Sequence, residues 1–151
     1  SMPVAYCRDN TDFWTLDSDG QVLEQTTSDQ VDGLIGVRGV SLPVFESGKP
    51  LGSEKNQEIA KTVGAVLQAL LKREYAFTPV WIDVTDTGHI TVNCGDTYTL
   101  ALGSADKLDE KLALADAVVA RQSDGQAGTI DVSATDAAHF IPKSGSGGNE
   151  G

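Results

Sequence analysis

Thr97-Tyr98-Thr99-Leu100-Ala101-Leu102-Gly103 is the stretch that most constrains what this chain can fold into. Bulky apolar residues alternate with smaller ones, as a half-buried strand requires, and the alternation stops at a glycine. Asp106-Lys107-Leu108-Asp109-Glu110-Lys111-Leu112 follows closely, and its carboxylates suit the first turn of a helix, where unpaired amides leave partial positive charge. Leu108, Leu112, Ala115 and Val119 then recur with one helical stripe, which predicts a helix from about Asp106 to Gln122. After the loop Asp124-Gly125-Gln126-Ala127-Gly128, Thr129 to Ala134 reads as a strand. A chain that spells strand, helix, strand has to lay a helix on a sheet.

The remaining residues supply the rest of that sheet. Pro3 to Cys7, Asp12 to Leu16, Gln21 to Glu24 and Leu34 to Val37 read as short strands. The second and third are joined by Asp17-Ser18-Asp19-Gly20, whose aspartates bond back to the backbone and whose glycine accepts positive φ. Gly39 to Gly52 reads as an extended loop. Ser53 as N-cap, Glu54 behind it, and Ile59, Val63, Val66, Leu67, Leu70 and Leu71 on one stripe predict the first helix, with Pro79 closing the segment. Gly64 in its middle costs about 1 kcal/mol relative to alanine, and is expected to mark a close approach to the sheet. Val80 to Val84, His89 to Val92 and Thr97 to Leu102 predict a three-stranded meander, and Ala137 to Ile141 a last strand ending at Pro142. The expected fold is α+β, a mostly antiparallel sheet with two helices packed on one face. It should occupy residues 3–142, after Ser1-Met2, which read as a cloning remnant, and before a Gly/Ser-rich tail at 143–151 expected to be disordered.

Charge narrows the function classes. Asp and Glu total 22 against 11 Lys and Arg, a net charge of −11. Such a surface repels nucleic acid and anionic headgroups unless a basic patch intervenes, and the densest basic pair, Lys72-Arg73, is followed by Glu74. No apolar run approaches the roughly 20 residues that span a bilayer. Cys7 and Cys94 allow one disulfide without demanding it.

No constellation announces catalysis. Asp17-x-Asp19-Gly20 invites a calcium-loop reading, but aligning Gly20 with the loop's glycine puts Thr15 and Thr26 where carboxylates belong. His89 and His139 have no second ligand nearby in sequence, so no metal and no cofactor are expected. Ser47 and Ser104 lack a nucleophile-elbow context. The Gly33 to Gly39 cluster lacks the helix that would hold a phosphate. Asp83, Asp86 and Asp131 lie on or just after strands, and a facing pair of them would suit glycoside hydrolysis. Phe13 and Trp14 are neighbours on a strand, so one of them must point away from the helices.

Four ordered segments carry a family resemblance. Pro3-Val4-Ala5-Tyr6, the hairpin Phe13-Trp14-Thr15-Leu16-Asp17-Ser18-Asp19-Gly20-Gln21-Val22-Leu23, the step from Leu100–Gly103 to Lys111-Leu112, and Gly128–Val132 with Ala137–Phe140 together resemble the extracytoplasmic β domain of FtsQ/DivIB cell-division proteins. The loop Gly48-Lys49-Pro50-Leu51 is similar to that of Gram-positive members. The resemblance implies a scaffold without catalytic activity. It implies a full-length protein anchored in the cell membrane by one N-terminal helix, with this domain outside at the division septum. It implies coiled-coil partners of the FtsL and FtsB/DivIC type, one of which adds a strand beside the last strand of the domain. On this chain the contact residues would be Val132, Ala134, Ala137, Ala138, His139 and Phe140, the small alanines leaving room and Phe140 offering an apolar anchor.

Two other readings stay open from the residues. One is a cell-wall hydrolysing domain, which needs Asp83, Asp86 or Asp131 to share a cleft. The other is a cell-surface binding domain that uses an exposed aromatic face.

Overall fold

The computed structural model describes residues 2–40, 45–52, 57–122 and 125–144. Among these residues nine strands make one sheet in the order β3-β2-β1-β4-β5-β6-β7-β8-β9. They are β1 (Ala5–Asp9), β2 (Asp12–Leu16), β3 (Val22–Thr26), β4 (Ile35–Arg38), β5 (Trp81–Asp83), β6 (Ile90–Cys94), β7 (Tyr98–Gly103), β8 (Gly128–Asp131) and β9 (His139–Pro142). Helix α1 (Glu58–Leu71) lies between β4 and β5, and α2 (Leu108–Arg121) between β7 and β8. The expected Ser53 cap, Glu54, and the tail from 145 onward lie outside the described residues.

The α+β class holds, but the sheet is mixed. β1–β4, β4–β5 and β7–β8 pair in parallel, while β1–β2, β2–β3, β5–β6, β6–β7 and β8–β9 pair antiparallel. The cause is local. A tight turn returns the chain antiparallel, whereas α1 and α2 carry it back to the same end of the sheet and make β4–β5 and β7–β8 parallel, and the β2–β3 hairpin between β1 and β4 does the same for that pair.

Side-chain alternation divides the sheet into two unlike faces. Ala5 and Cys7, Ile82, Ile90 and Val92, Leu100 and Leu102, and Ile130 and Val132 are buried in one core with Val63, Val66, Leu67 and Leu70 of α1 and Leu108, Leu112, Ala115 and Val119 of α2. The α2 stripe is the expected one. The α1 stripe is rotated: Leu71 is 49 % exposed, and Ala60 and Gly64 are buried instead. Gly64 meets not the sheet but the β2–β3 turn, where an added Cβ would stand 3.1 Å from the Asp19 backbone. Gln68 secures the same turn by donating to the Ser18 carbonyl at 2.8 Å. On the opposite face lie Tyr6, Arg8, Phe13, Arg38, Trp81, Thr91, Thr99 and Thr129, with no helix over them among the described residues.

The two strand–helix–strand units close with the same device. β5 runs out as Ile82-Asp83-Val84-Thr85 and β8 as Ile130-Asp131-Val132-Ser133. Asp83 Oδ1 accepts from the Thr85 amide at 2.9 Å and hydroxyl at 2.6 Å. Asp131 Oδ1 accepts from the Ser133 amide at 2.9 Å and hydroxyl at 2.7 Å. Beside each turn stands the glycine that ends the preceding parallel strand. Gly39 has φ +87° and leaves no room for a Cβ against Thr85. Gly103 has φ +71°, and a Cβ there would stand 2.9 Å from that of Ser133.

Candidate docking edge

β9 closes one side of the sheet and has nothing beyond it among the described residues. The other margin is treated differently. The start of β3 is covered by the segment around Lys49, where the Val22 amide donates to the Lys49 carbonyl and the Gly48 amide to the Val22 carbonyl, both at 2.8 Å. Leu51, from the Gly48–Leu51 loop, is buried there.

The ladder fixes which backbone groups β9 presents. β8 and β9 pair as Gly128↔Pro142, Thr129↔Ile141, Ile130↔Phe140 and Asp131↔His139. The Gly128 amide donates back to Thr97 of β7 at 2.9 Å, and the Lys143 amide donates to Ala127 at 2.9 Å. Because backbone groups alternate sides along a strand, His139 and Ile141 face β8, while Phe140 and Pro142 turn their backbone outward. The bare edge therefore offers the N–H and C=O of Phe140 and the C=O of Pro142, which has no N–H to give.

Side chains follow the same alternation. Phe140 leans to the helix face, half-buried, with its ring over Gly128, where a Cβ would stand 2.7 Å from Phe140 Cζ. Ile141 points to the helix-free face and is 54 % exposed. His139 is exposed opposite Asp131. Hydrogen bonds from Ser133, with a smaller attraction from His139, hold the Asp131 carboxyl below its ordinary range.

The six residues expected at the contact are thus dispersed. Val132 follows β8 and is fully buried, its amide bonded to the Ala101 carbonyl at 2.9 Å. Ala134 and Ala137 are exposed but sit in the connection between β8 and β9, with half-buried Ala138 at its end. The Asp131–Ser133 turn bends the chain off the line of β8, so the small residues serve the return and the edge strand starts only at His139. His139 and Phe140 lie on the edge itself. Ile141 and Pro142 belong to it as well. The proline was the signal for them, since an interior strand would reject it.

The carboxylates proposed for hydrolysis do not meet. Asp83 and Asp131 stand on β5 and β8 with Thr91 and Ala101 between them in register. That separation is three strand spacings, roughly 14 Å. Asp86 accepts from the Gly88 amide and pairs with His89 Nδ1, both at 2.9 Å. Asp17 is likewise occupied, its Oδ1 accepting from the Asp19 amide at 2.9 Å and the Gln21 amide at 3.0 Å, which is a turn and not a calcium loop. Among the described residues no three His, Cys, Asp or Glu side chains group as metal ligands, and no helix is long and apolar enough to cross a membrane. Cys7 and Cys94 are both free thiols, each pushed up to about 12 by burial.

Comparison with known proteins adds one match. A family model described as "Cell division protein FtsQ/DivIB, C-terminal" fits residues 5–133, which spans the chain from β1 through the Asp131–Ser133 turn. β9 follows that matched region. No curated protein matches the chain.

Proposed function

The chain belongs to the FtsQ/DivIB family of cell-division proteins, and we propose that it is a non-catalytic scaffold of the division machinery that docks a partner strand along β9. In this reading the domain works outside the cell membrane at the septum, carried by an anchor in the full-length protein. Its partners are the FtsL and FtsB/DivIC type.

The observation that carries the reading is the bare outward backbone of Phe140 and Pro142, set against a β3 margin whose first residue, Val22, is paired with the Gly48–Lys49 segment. An incoming extended segment recovers hydrogen bonds that water otherwise supplies, and the exposed Ile141 gives it an apolar contact on one face. The dispersed carboxylates weigh against the hydrolytic alternative, since acid–base pairs on a glycosidic bond stand about 5–9.5 Å apart.

Calorimetric titration of the chain with the extracytoplasmic segments of FtsL- and FtsB/DivIC-type proteins tests this. Phe140→Ala removes the ring and keeps the outward N–H, whereas Phe140→Pro removes both. Binding should weaken with the first and vanish with the second, the two folds being checked by circular dichroism. Absence of binding by the unaltered chain, or equal affinity of the two variants, rejects the strand-addition mode.

A further inference from the structure

We infer that the helix-free face carries a second docking surface, centred on Arg8 and Arg38, for a peptide segment bearing carboxylates beside apolar side chains. β1 and β4 pair in parallel with Ala5↔Ile35 and Tyr6↔Gly36. Continuing that register sets Arg8 beside Arg38, and both line one cleft with Tyr6 and Phe13. The Arg38 guanidinium lies 3.7 Å from the centroid of the Trp81 ring, and that of Arg8 5.6 Å from the centroid of Phe13. Tyr6 and Phe13 are in contact at 5.9 Å between centroids.

Two like charges side by side on neighbouring strands repel. A chain with 22 carboxylate side chains had every means to neutralise them. Among the described residues the ion pairs involve Lys61, Lys72, Arg73 and His89, and neither Arg8 nor Arg38. Asp83 stands opposite Arg38 in register but forms no ion pair with it, its Oδ1 accepting from the Thr85 amide and hydroxyl. A guanidinium seated on a ring loses little side-chain freedom when it binds, and its N–H edge keeps the fork that matches a carboxylate. Arg8 has already committed its Nε to the Asn10 carbonyl at 2.7 Å, which orients the rest of the group.

The surroundings select the ligand class. The net charge of −11 repels an extended polyanion such as a phosphate polymer or an anionic membrane. Two arginines among aromatic rings suit a short sequence in which one or two acidic residues alternate with Leu or Phe. The site is separate from β9. β4 and β9 are five strand spacings apart in the sheet order, roughly 24 Å.

The test uses a labelled peptide alternating Glu with Leu and Phe, its counterpart with Gln for Glu, polyphosphate, and vesicles of phosphatidylglycerol. Binding to the whole chain is followed by anisotropy and by Trp81 emission, with Trp14→Phe to silence the other indole. We expect the Glu peptide to bind more tightly than the Gln peptide. Each of Arg8→Gln and Arg38→Gln should weaken it about tenfold, and Arg38→Lys should weaken it less. Phe140→Pro should leave it unchanged, so that failure here and failure of β9 docking are told apart. Equal binding of the Glu and Gln peptides, no binding of either, indifference to both arginine changes, or preference for polyphosphate or vesicles would each overturn the proposal.

Discussion

Phe140 on the last strand covers Gly128 on the strand before it, and the fit is tight enough that the glycine's missing side chain is part of the site. A Cβ at residue 128 would stand 2.7 Å from Cζ and 2.8 Å from Cε1 of the ring, and would collide with the Ile141 carbonyl. The edge is therefore held by an aromatic ring filling the space of an absent methyl group.

Gly128→Ala should consequently release β9 while leaving the core intact. The core residues of β7, β8 and both helices do not depend on it, so global stability should fall by about 1–3 kcal/mol, the ordinary range for overpacking. Urea unfolding gives the loss, and partner titration should show binding gone in the variant. Full binding by Gly128→Ala would mean that β9 is not the docking strand.

Amide hydrogen exchange reads the ladder directly. His139 and Ile141 donate towards β8 and should exchange slowly in the free chain, while Phe140, facing outward, should exchange fast. On adding a strand-forming partner, Phe140 should become protected and its neighbours change little. Uniform protection before and after binding contradicts the assigned register.

The paired closing turns predict two weak points. Gly39→Ala and Gly103→Ala each force a side chain into a left-handed backbone and against Thr85 or Ser133. Each should cost about 2–4 kcal/mol, combining conformational strain and steric conflict. Thermal unfolding should show a loss in both variants, the larger in Gly39→Ala, whose Cβ would also meet the Thr85 backbone nitrogen; tolerance of either would contradict the assigned turns.

Acid should loosen the β8 turn in a defined window. The Asp131 carboxyl is held below its unfolded value, chiefly by the Ser133 hydroxyl and amide. A depressed folded pKa contributes stability that is complete above the unfolded value, near 3.9, and lost as the pH falls through the lower folded value. The slope of unfolding free energy below about pH 4 should be shallower in Asp131→Asn than in the unaltered chain. Identical slopes would show the turn to be irrelevant to acid stability.

Much of the fold was legible because it depends on local period. The α2 stripe, the Asp17–Gly20 turn and the strand words were readable in place, and Phe13 faces away from the helices while Trp14 packs towards them. What escaped needed distant residues. The parallel pairings follow from crossovers, and the related endings Ile-Asp-Val-Thr and Ile-Asp-Val-Ser stand at unequal distances from their glycines, so no fixed period exposes them. Lys111 reads as a surface residue of a charged turn, yet it is 2 % exposed with Nζ donating to the Ser104 carbonyl at 2.9 Å. Ala134 and Ala137 lie in the connection that precedes β9, a placement that depends on the Asp131–Ser133 turn and not on the local period. Arg8 and Arg38 are thirty residues apart in the sequence, and only the β1–β4 register makes them neighbours.

Pro142 sets a limit on how far any visiting strand can zip. One position beyond Phe140 along the outward row, the ladder has an acceptor without a donor, so pairing weakens where a long β-ribbon would need to continue. Copies of the chain stacked edge to edge would meet the same gap, which blunts runaway fibre growth. A sheet with one bare flank thereby carries its own guard against recruiting further copies of itself.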